Sequence, residues 1–304
     1  MNRVRGMASS VGLNRALGVT SMVACGIALS LHSANAARGS CTPPVIQKET
    51  VTAEERIQKA GEAIQAERYV DAKKELKLAL SLDKNAPAAN LYMALVYKHE
   101  NKSKEATKYV QAAIKSKPNY PDAHYLFASL LFDKNDLARS HLEIDLAIAQ
   151  GANSPNAYVL SGDIHLTQNG NKSALECYEK ALRLAGPNVE GAAMLRDRVT
   201  ALTNYVEFAS HQYDPSYIRP RLINLPMPLY TEEARQRGVQ GKVKMAVLVD
   251  EQGRVASVLI FSRLGYGLDA EAVKAAQRLR FSPASRKGKP VPFWSPLIVE
   301  FNLR

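Results

Sequence analysis

Small side chains recur at a fixed interval through the middle of the chain. Three series of positions keep a spacing of 34 residues, and each member of the first series is followed by Leu or Ile. The series are Ala79, Ala113, Ala147 and Ala181; Ala72, Ala106, Ser140 and Ala174; and Ala60, Ala94, Ala128 and Gly162. Helices that cross closely need small residues there, because larger side chains hold the backbones apart. The pattern therefore predicts four units, each made of two antiparallel helices.

A further helix is predicted after the fourth unit, over residues 190–210. Its apolar positions have helical spacing and are Ala193, Leu195, Val199, Leu202 and Val206. A stacked array needs a terminal element that covers the open face of its last unit. We expect this helix to be that cap.

Near residue 240 the spacing of apolar positions changes to two. The alternating positions, typical of a strand with one buried face, are Val243, Met245, Val247 and Val249. Asp250 and Gly253 then suit a tight turn, because glycine tolerates a positive φ. A second strand is predicted over residues 254–262, so this region is expected to form a β-hairpin.

A helix and a last strand complete the predicted C-terminal domain. Asp269 is the expected N-cap, and Val273, Ala276 and Leu279 are spaced to face a sheet. Alternating apolar residues return over residues 297–303. The predicted fold class is an all-α array followed by a small α+β domain with a three-stranded antiparallel sheet.

The N-terminus predicts export. Three arginines and no acidic residue accompany an apolar run over residues 17–31, and small residues precede a cleavage site between Ala36 and Ala37. The run is shorter than the roughly 20 residues of a membrane-spanning helix, so cleavage is favoured. Two alternatives stay open: an uncleaved inner-membrane anchor with the bulk of the chain outside the cytoplasm, and lipid attachment at Cys25.

These patterns divide the chain into five segments. Residues 212–225 contain Pro215 and Pro220 without helical periodicity, which indicates a short linker. The segments are a signal peptide, 1–36; a mature N-terminal segment, 37–51; the repeats with their cap, 52–211; the linker, 212–225; and the C-terminal domain, 226–304.

The net charge of +11 is unevenly distributed. Residues 212–304 hold fifteen Lys or Arg and eight Asp or Glu, whereas the array is nearly neutral. A neutral array suits protein partners, and a basic terminal domain favours acidic segments or anionic surfaces. Export removes nucleic acid from the expected partners.

Catalytic and metal-binding motifs are missing from the sequence. It has no H-E-x-x-H or G-x-S-x-G pattern, and residues 238–242 lack the spacing of a phosphate loop. Cys41 and Cys177 have no metal-ligand spacing; they either form a disulfide after export or leave Cys177 as a small packed side chain. We expect no enzyme, no cofactor and no metal.

The repeated units resemble tetratricopeptide repeats. The resemblance rests on the 34-residue period and on Tyr69, Tyr97, Pro118 and Tyr178. Such arrays collect the first helix of each unit on a concave face. Two stripes are candidates for a peptide groove, although the apolar one is also suited to packing between units: Ile57, Leu91, Tyr125 and Val159; and Gln65, His99, Asp133 and Thr167.

Residues 226–304 resemble the C-terminal domain of the TonB family, periplasmic proteins that couple an inner-membrane motor to outer-membrane transporters. The matching signals include P-x-Y at Pro228, R-x-R-F-x-P-A at 278–284 and G-K-P-V at 288–291. Thr231 and Leu279 depart from the proline and tryptophan that are usual there.

The resemblance implies that an extended peptide adds to the last strand. Pro296 agrees with an edge position, since proline cannot donate to a ladder; it is equally consistent with the start of a strand. The implied partner is the N-terminal box of an outer-membrane transporter. The candidate binding residues are Leu297, Ile298, Val299, Glu300, Phe301, Asn302 and Leu303.

Two functions of different class fit these modules. The first is a periplasmic energy transducer whose repeats dock on the motor or on an accessory protein. The second is a periplasmic scaffold or adaptor that holds envelope proteins together without transmitting force. Both predict periplasmic localisation, with inner-membrane anchoring as the alternative.

Overall fold

The computed structural model describes residues 51–186, 191–209, 214–224 and 226–303. Helices α1–α8 form four helical pairs within these ranges, as the 34-residue period predicts, and α9 follows them. The bounds of α1–α9 are Ala53–Gln65, Tyr69–Leu82, Pro87–His99, Ser103–Ser116, Pro121–Asp133, Leu137–Ala149, Pro155–Thr167, Asn171–Ala185 and Ala192–Ala209.

The turn inside each helical pair repeats the same backbone geometry. One residue in each turn adopts a positive φ between 56° and 62°, and these residues are again 34 apart: Glu67, Asn101, Asn135 and Asn169. Asparagine tolerates this left-handed conformation better than most residues. The other boundaries are equally regular, since proline opens α3, α5 and α7, where a missing N–H costs nothing.

Large and small side chains compensate within the repeats. Leu76, Val110, Ile144 and Tyr178 keep the 34-residue spacing and are fully buried. In the fourth unit Tyr178 is the largest of them, and Gly162 replaces the alanine of the other units. A Cβ atom on Gly162 would lie 2.5 Å from the Tyr178 ring. Glycine at position 162 therefore leaves the space that the larger Tyr178 ring occupies.

Helix α9 covers the fourth unit as the predicted cap. Its Leu195 and Leu202 are buried in one core with Tyr178. Its Arg198 also donates to Asp163, which accepts from the Tyr178 hydroxyl at 2.6 Å. Apolar packing and a partly buried ion pair thus join α9 to α7 and α8.

The C-terminal domain contains the predicted antiparallel sheet in the order β4-β3-β8. These strands are Gly241–Val249 for β3, Val255–Ser262 for β4 and Phe293–Phe301 for β8. Helix α11, Leu268–Gln277, covers one face, and the short α10, Glu232–Gln236, precedes the sheet. The core between sheet and helices includes Val243, Val247, Ala272, Val299 and Phe301.

Two smaller sheets change the expected domain boundary. Strand β2, Arg221–Asn224, pairs with β5, Arg280–Ser282. Strand β1, Tyr217–Ile218, pairs with β6, Ala284–Arg286, which also pairs with β7, Lys289–Val291. The described part of the predicted linker therefore belongs to the C-terminal domain, because its backbone groups complete these ladders.

Part of the sequence interpretation lies outside the described residues. This holds for the signal peptide, its cleavage site at Ala36 and Ala37, and for Cys25 and Cys41. Within the ranges that the structure describes, none of the helices has the length and apolar character needed to cross a membrane.

Candidate partner-binding sites

Strand β8 lies at an edge of the main sheet. It pairs with β3 along its whole length, from Phe293 opposite Val249 to Phe301 opposite Gly241. Its other edge pairs with no strand in the described part of the chain. Pro296 lies inside the strand, opposite Ala246, and does not begin it. An edge strand tolerates this proline.

The predicted binding residues divide into two groups on this strand. Leu297, Val299 and Phe301 pack on the core of the domain, whereas Ile298 and Glu300 are exposed. Asn302 and Leu303 lie beyond the end of β8, and the Leu303 N–H donates to the Gln240 side chain at 3.1 Å. A partner at this edge would meet backbone groups and the side chains of Ile298 and Glu300.

The apolar groove stripe does not line an open surface. Leu91 and Val159 are buried, which corrects the expectation that they line an open groove. Ile57 and Tyr125 are half-buried against the cores of their own repeats. Leu91 is buried between neighbouring units and Val159 under the C-terminal sheet, because large apolar surfaces gain more from burial than from exposure.

The polar stripe is more accessible. Gln65 and His99 are exposed, and the His99 ring stacks on Tyr69 with the ring centroids 3.7 Å apart. Asp133 lies 3.6 Å from the Lys98 ammonium group. The remaining residue, Thr167, donates to the carbonyl of Ile164. The stripe is thus spread over separate local contacts.

The C-terminal domain packs on the repeats through the second face of its sheet. Val159 of α7 shares one buried cluster with Ala246, Leu259 and Trp294. Tyr205 of α9 contacts the Trp294 ring, with the centroids 5.4 Å apart. Because α7 is the first helix of its unit, the chain's own sheet covers part of the predicted groove.

Polar contacts fix the position of the domain next to α5. The Asn135 side chain donates to the carbonyl of Arg263 at 2.9 Å, and the Tyr266 N–H donates to the carbonyl of Asp133 at 2.9 Å. The Arg263 guanidinium lies 3.7 Å from the centroid of the Phe132 ring. Asp133, a polar residue of the predicted groove stripe, therefore binds the C-terminal domain through its backbone carbonyl.

The sequence interpretation did not include this contact, although a signal for it was present. Ala246 and Leu248 are apolar on the face of β3 opposite to Val247, and Trp294 is the only tryptophan in the chain. Strands buried on both faces show such nearly continuous apolar runs. The run around Leu248 indicates a covered second face, but it does not identify the covering element.

Ionisable side chains in the repeats have structural environments. Burial raises the pKa of the Cys177 thiol, which lies 3.5 Å from the Ser161 hydroxyl. Burial and the neighbouring His141 lower the pKa of His165. A raised thiol pKa disfavours the nucleophilic thiolate. Among the described residues, no cluster of side chains is arranged to hold a metal ion.

Comparison with protein families agrees with this architecture. Residues 226–303 match the family described as Gram-negative bacterial TonB protein C-terminal. Residues 63–130 and 155–188 match two tetratricopeptide-repeat families. The chain thus joins a tetratricopeptide-repeat region to a domain of the TonB C-terminal type, and both are protein-interaction modules. A comparison with curated protein sequences finds no match.

Solved structures with similar repeats include PilF of Pseudomonas aeruginosa. It is 21% identical, with a TM-score of 0.44 and coverage of 53% of this chain and 73% of that one. A tetratricopeptide-repeat protein of Thermus thermophilus is 15% identical, with a TM-score of 0.42 and coverage of 50% and 81%. The Cut9–Hcn1 complex is 14% identical, with a TM-score of 0.44 and coverage of 49% of this chain and only 30% of that one.

Proposed function

We propose that the chain is a TonB-like energy transducer that captures an extended peptide by strand addition at β8. The proposed peptide is the N-terminal box of an outer-membrane transporter. The proposed place of action is the periplasm, to which the signal peptide expected at residues 1–36 would direct the chain. The repeats would bind the inner-membrane motor or an accessory protein. The unpaired edge of β8, in a domain of the TonB C-terminal type, carries the proposal.

An edge strand is suited to this task for a physical reason. Its outer N–H and C=O groups form a regular row that another extended backbone can complete. Selectivity then comes from the side chains that alternate along the edge, here Ile298 and Glu300. The Glu300 carboxylate lies 3.8 Å from the Lys242 ammonium group in an exposed ion pair, so a partner can displace it at little cost.

Hydrogen exchange along β8 tests the proposal. In an antiparallel ladder, the N–H groups of successive residues point to opposite edges. Those that point to β3 are already bonded, whereas those at the free edge are open to solvent. A synthetic transporter-box peptide should therefore protect alternate amides of β8. No protection at saturating peptide, or protection confined to another element, contradicts strand addition at this edge.

Two proline variants sharpen this test. Ile298→Pro and Val299→Pro remove neighbouring donors, so one of them acts on the free edge and the other on the ladder with β3. We expect both to abolish peptide capture, but the ladder variant should also destabilise the fold. Glu232→Pro, at the first position of α10 where a missing N–H costs nothing, is the control and should retain binding. Capture that survives both strand variants would place the site elsewhere.

A scaffold that transmits no force is the second candidate. It is favoured by the buried contact between sheet and repeats, which joins the two modules without an extended spacer. The intact mass of the protein from fractionated cells distinguishes the two. A soluble form that begins at Ala37 supports a scaffold or a recruited transducer. Full-length or lipidated protein in the inner membrane supports direct force transmission.

A further inference from the structure

Exposed apolar side chains concentrate in one segment of the C-terminal domain. Among the described residues, five of the twelve exposed large apolar side chains lie between positions 218 and 229, with exposed fractions from 43% to 79%. They are Ile218, Leu222, Ile223, Met227 and Leu229. We refer to these five residues as the apolar ridge. Most large apolar side chains are buried in a folded domain, so a concentration of exposed ones on one short segment favours an interaction surface.

The backbone of the ridge is fixed to the domain. Strand β2 pairs with β5, and the Asn224 side chain accepts from the Arg280 N–H at 2.6 Å. Further along, Tyr230 packs on Phe301, and its hydroxyl donates to the carbonyl of Val239. Met227 and Leu229 alternate with half-buried neighbours. The ordered backbone therefore directs these side chains into solvent.

Basic side chains accompany the ridge. Arg221 lies on β2 itself, and the Asn224 side chain joins β2 to the backbone of Arg278 and Arg280. Among described residues, no carboxylate forms an ion pair with any of these three arginines. Lys287 and Lys289 add two more positive charges at the turn between β6 and β7.

The acidic residues of the domain do not neutralise this charge. Four of them are committed to ion pairs elsewhere, namely Glu233–Arg237, Asp250–Arg254, Asp269–Arg263 and Glu271–Lys274. A fifth, Asp214, pairs with Arg286. Glu232 is exposed near Leu229 and accepts from Gln236 within its own helix. Glu300 pairs with Lys242, and Glu251 is exposed in the turn whose Gly253 hydrogen-bonds to Phe281 of β5. The five basic side chains still outnumber Glu232 and Glu251, which form no ion pair among the described residues, so the surface around β2 and β5 keeps an excess of positive charge.

We propose that the apolar ridge binds the surface of a membrane that contains anionic phospholipids. Guanidinium groups recognise phosphate, and apolar side chains that project outward enter the region between headgroups and acyl chains. A lipid surface accepts such side chains without a matching pocket, whereas a protein partner would have to supply one. The proposal does not depend on peptide capture, because β8 takes no part in it.

Co-sedimentation of the full chain with lipid vesicles tests the proposal. We expect binding to vesicles of phosphatidylcholine mixed with phosphatidylglycerol, and weak binding to phosphatidylcholine alone. Met227→Ser combined with Leu229→Ser should weaken binding about tenfold or more, because two apolar side chains no longer enter the membrane. The matched control is Val70→Ser with Leu82→Ser on α2, which are similarly exposed outside the ridge and should not affect binding.

A second pair of variants tests the charge. Arg221→Gln with Arg278→Gln should weaken binding to the anionic vesicles about 30-fold and reduce its dependence on salt, since each basic group near such a surface contributes about fivefold. Equal binding to neutral and anionic vesicles would overturn the proposal. Unchanged vesicle binding by the Met227→Ser, Leu229→Ser variant would also overturn it. So would the finding that the apolar ridge binds a soluble protein but no vesicles. Peptide binding at β8 should be unaffected by all three double variants.

Discussion

The repeat array and the C-terminal sheet bury apolar surface in different ways. Each of the first three cores of the array takes side chains from at most two consecutive repeats. The sheet instead contributes to two cores, one with α11 and one with the last repeat and α9. Contacts in the array therefore join residues that are close in sequence, whereas Val159 and Trp294 share one core although they are far apart in sequence.

This difference indicates which parts of the protein depend on each other for stability. A local array gains stability unit by unit and tolerates changes in one unit. The last unit is different, because its open face is sealed partly by α9 and partly by the sheet. We therefore expect the fourth repeat and the C-terminal domain to unfold together, and the following experiments test this expectation.

The largest effect is expected for Trp294→Ala. It removes a buried indole between the sheet and Tyr205, and truncations of this kind cost about 3–5 kcal/mol. Urea unfolding, followed separately in the array and in the sheet, should show the two transitions moving apart. Ile298→Ala on the same strand is the control, since Ile298 is 57% exposed. An equal loss in both variants would show that the contact contributes little.

The next effect is expected inside the array. Gly162→Ala introduces a Cβ atom 2.5 Å from the Tyr178 ring and should destabilise the fourth repeat by about 1–3 kcal/mol. Gly61→Ala is the control: its Cβ atom would lie 3.4 Å from Tyr92, an ordinary contact, and alanine favours the helix.

A second substitution tests whether the two side chains are coupled. Tyr178→Ile restores the smaller residue of the third unit, so the double variant with Gly162→Ala should lose less stability than the sum of the single changes. Chemical denaturation of the four proteins measures this difference. Strict additivity would mean that Gly162 has no specific relation to Tyr178.

A smaller effect is expected at the contact between loop and array. Gly265 has a φ of +77°, and a Cβ atom there would lie 2.8 Å from the carbonyl oxygen of Asp133. Gly288 has a φ of +76° but no atom within 4 Å of such a Cβ atom, so it reports backbone strain alone. Gly265→Ala should cost about 1–2 kcal/mol more than Gly288→Ala. Equal thermal stability of the two variants would contradict the close approach.

The smallest effect concerns pH. Burial, and then His141, lower the pKa of His165 below the ordinary value of 6.5. As pH falls below about 6.5, the unfolded chain takes up this proton before the folded chain, so stability decreases toward acid pH. His165→Gln should flatten this decrease, which melting temperatures measured between about pH 5 and pH 8 would show. A steeper loss of stability toward acid pH in the variant would contradict the lowered pKa of His165.

The fold was largely predictable because its signals are local. The 34-residue series predicted the four helical pairs, and Val243, Asp250 and Gly253 predicted the hairpin that β3 and β4 form. The edge position of β8 also agrees with Pro296. The pairing of β2 with β5 was not predictable, because a four-residue strand between prolines carries too little periodicity to identify its partner.

The candidate sites were predictable in part. The exposed Ile298 and Glu300 agree with a binding edge, which stays a prediction until a peptide is tested. Leu91 and Val159 were expected in a groove but are buried. An apolar side chain on the first helix of a repeat suits a groove and a core equally well, so its sequence position does not distinguish between them.

The sequence by itself determined the number of repeats, their period, the hairpin and the excess of basic residues. These properties depend on helix and strand geometry and on composition. Only the tertiary structure decided that the sheet covers α7, that residues 217–224 join the C-terminal domain, and that the apolar ridge stays exposed. The reason is that hydrophobic burial has no direction: a sequence shows which surfaces are apolar, but not which of them meet.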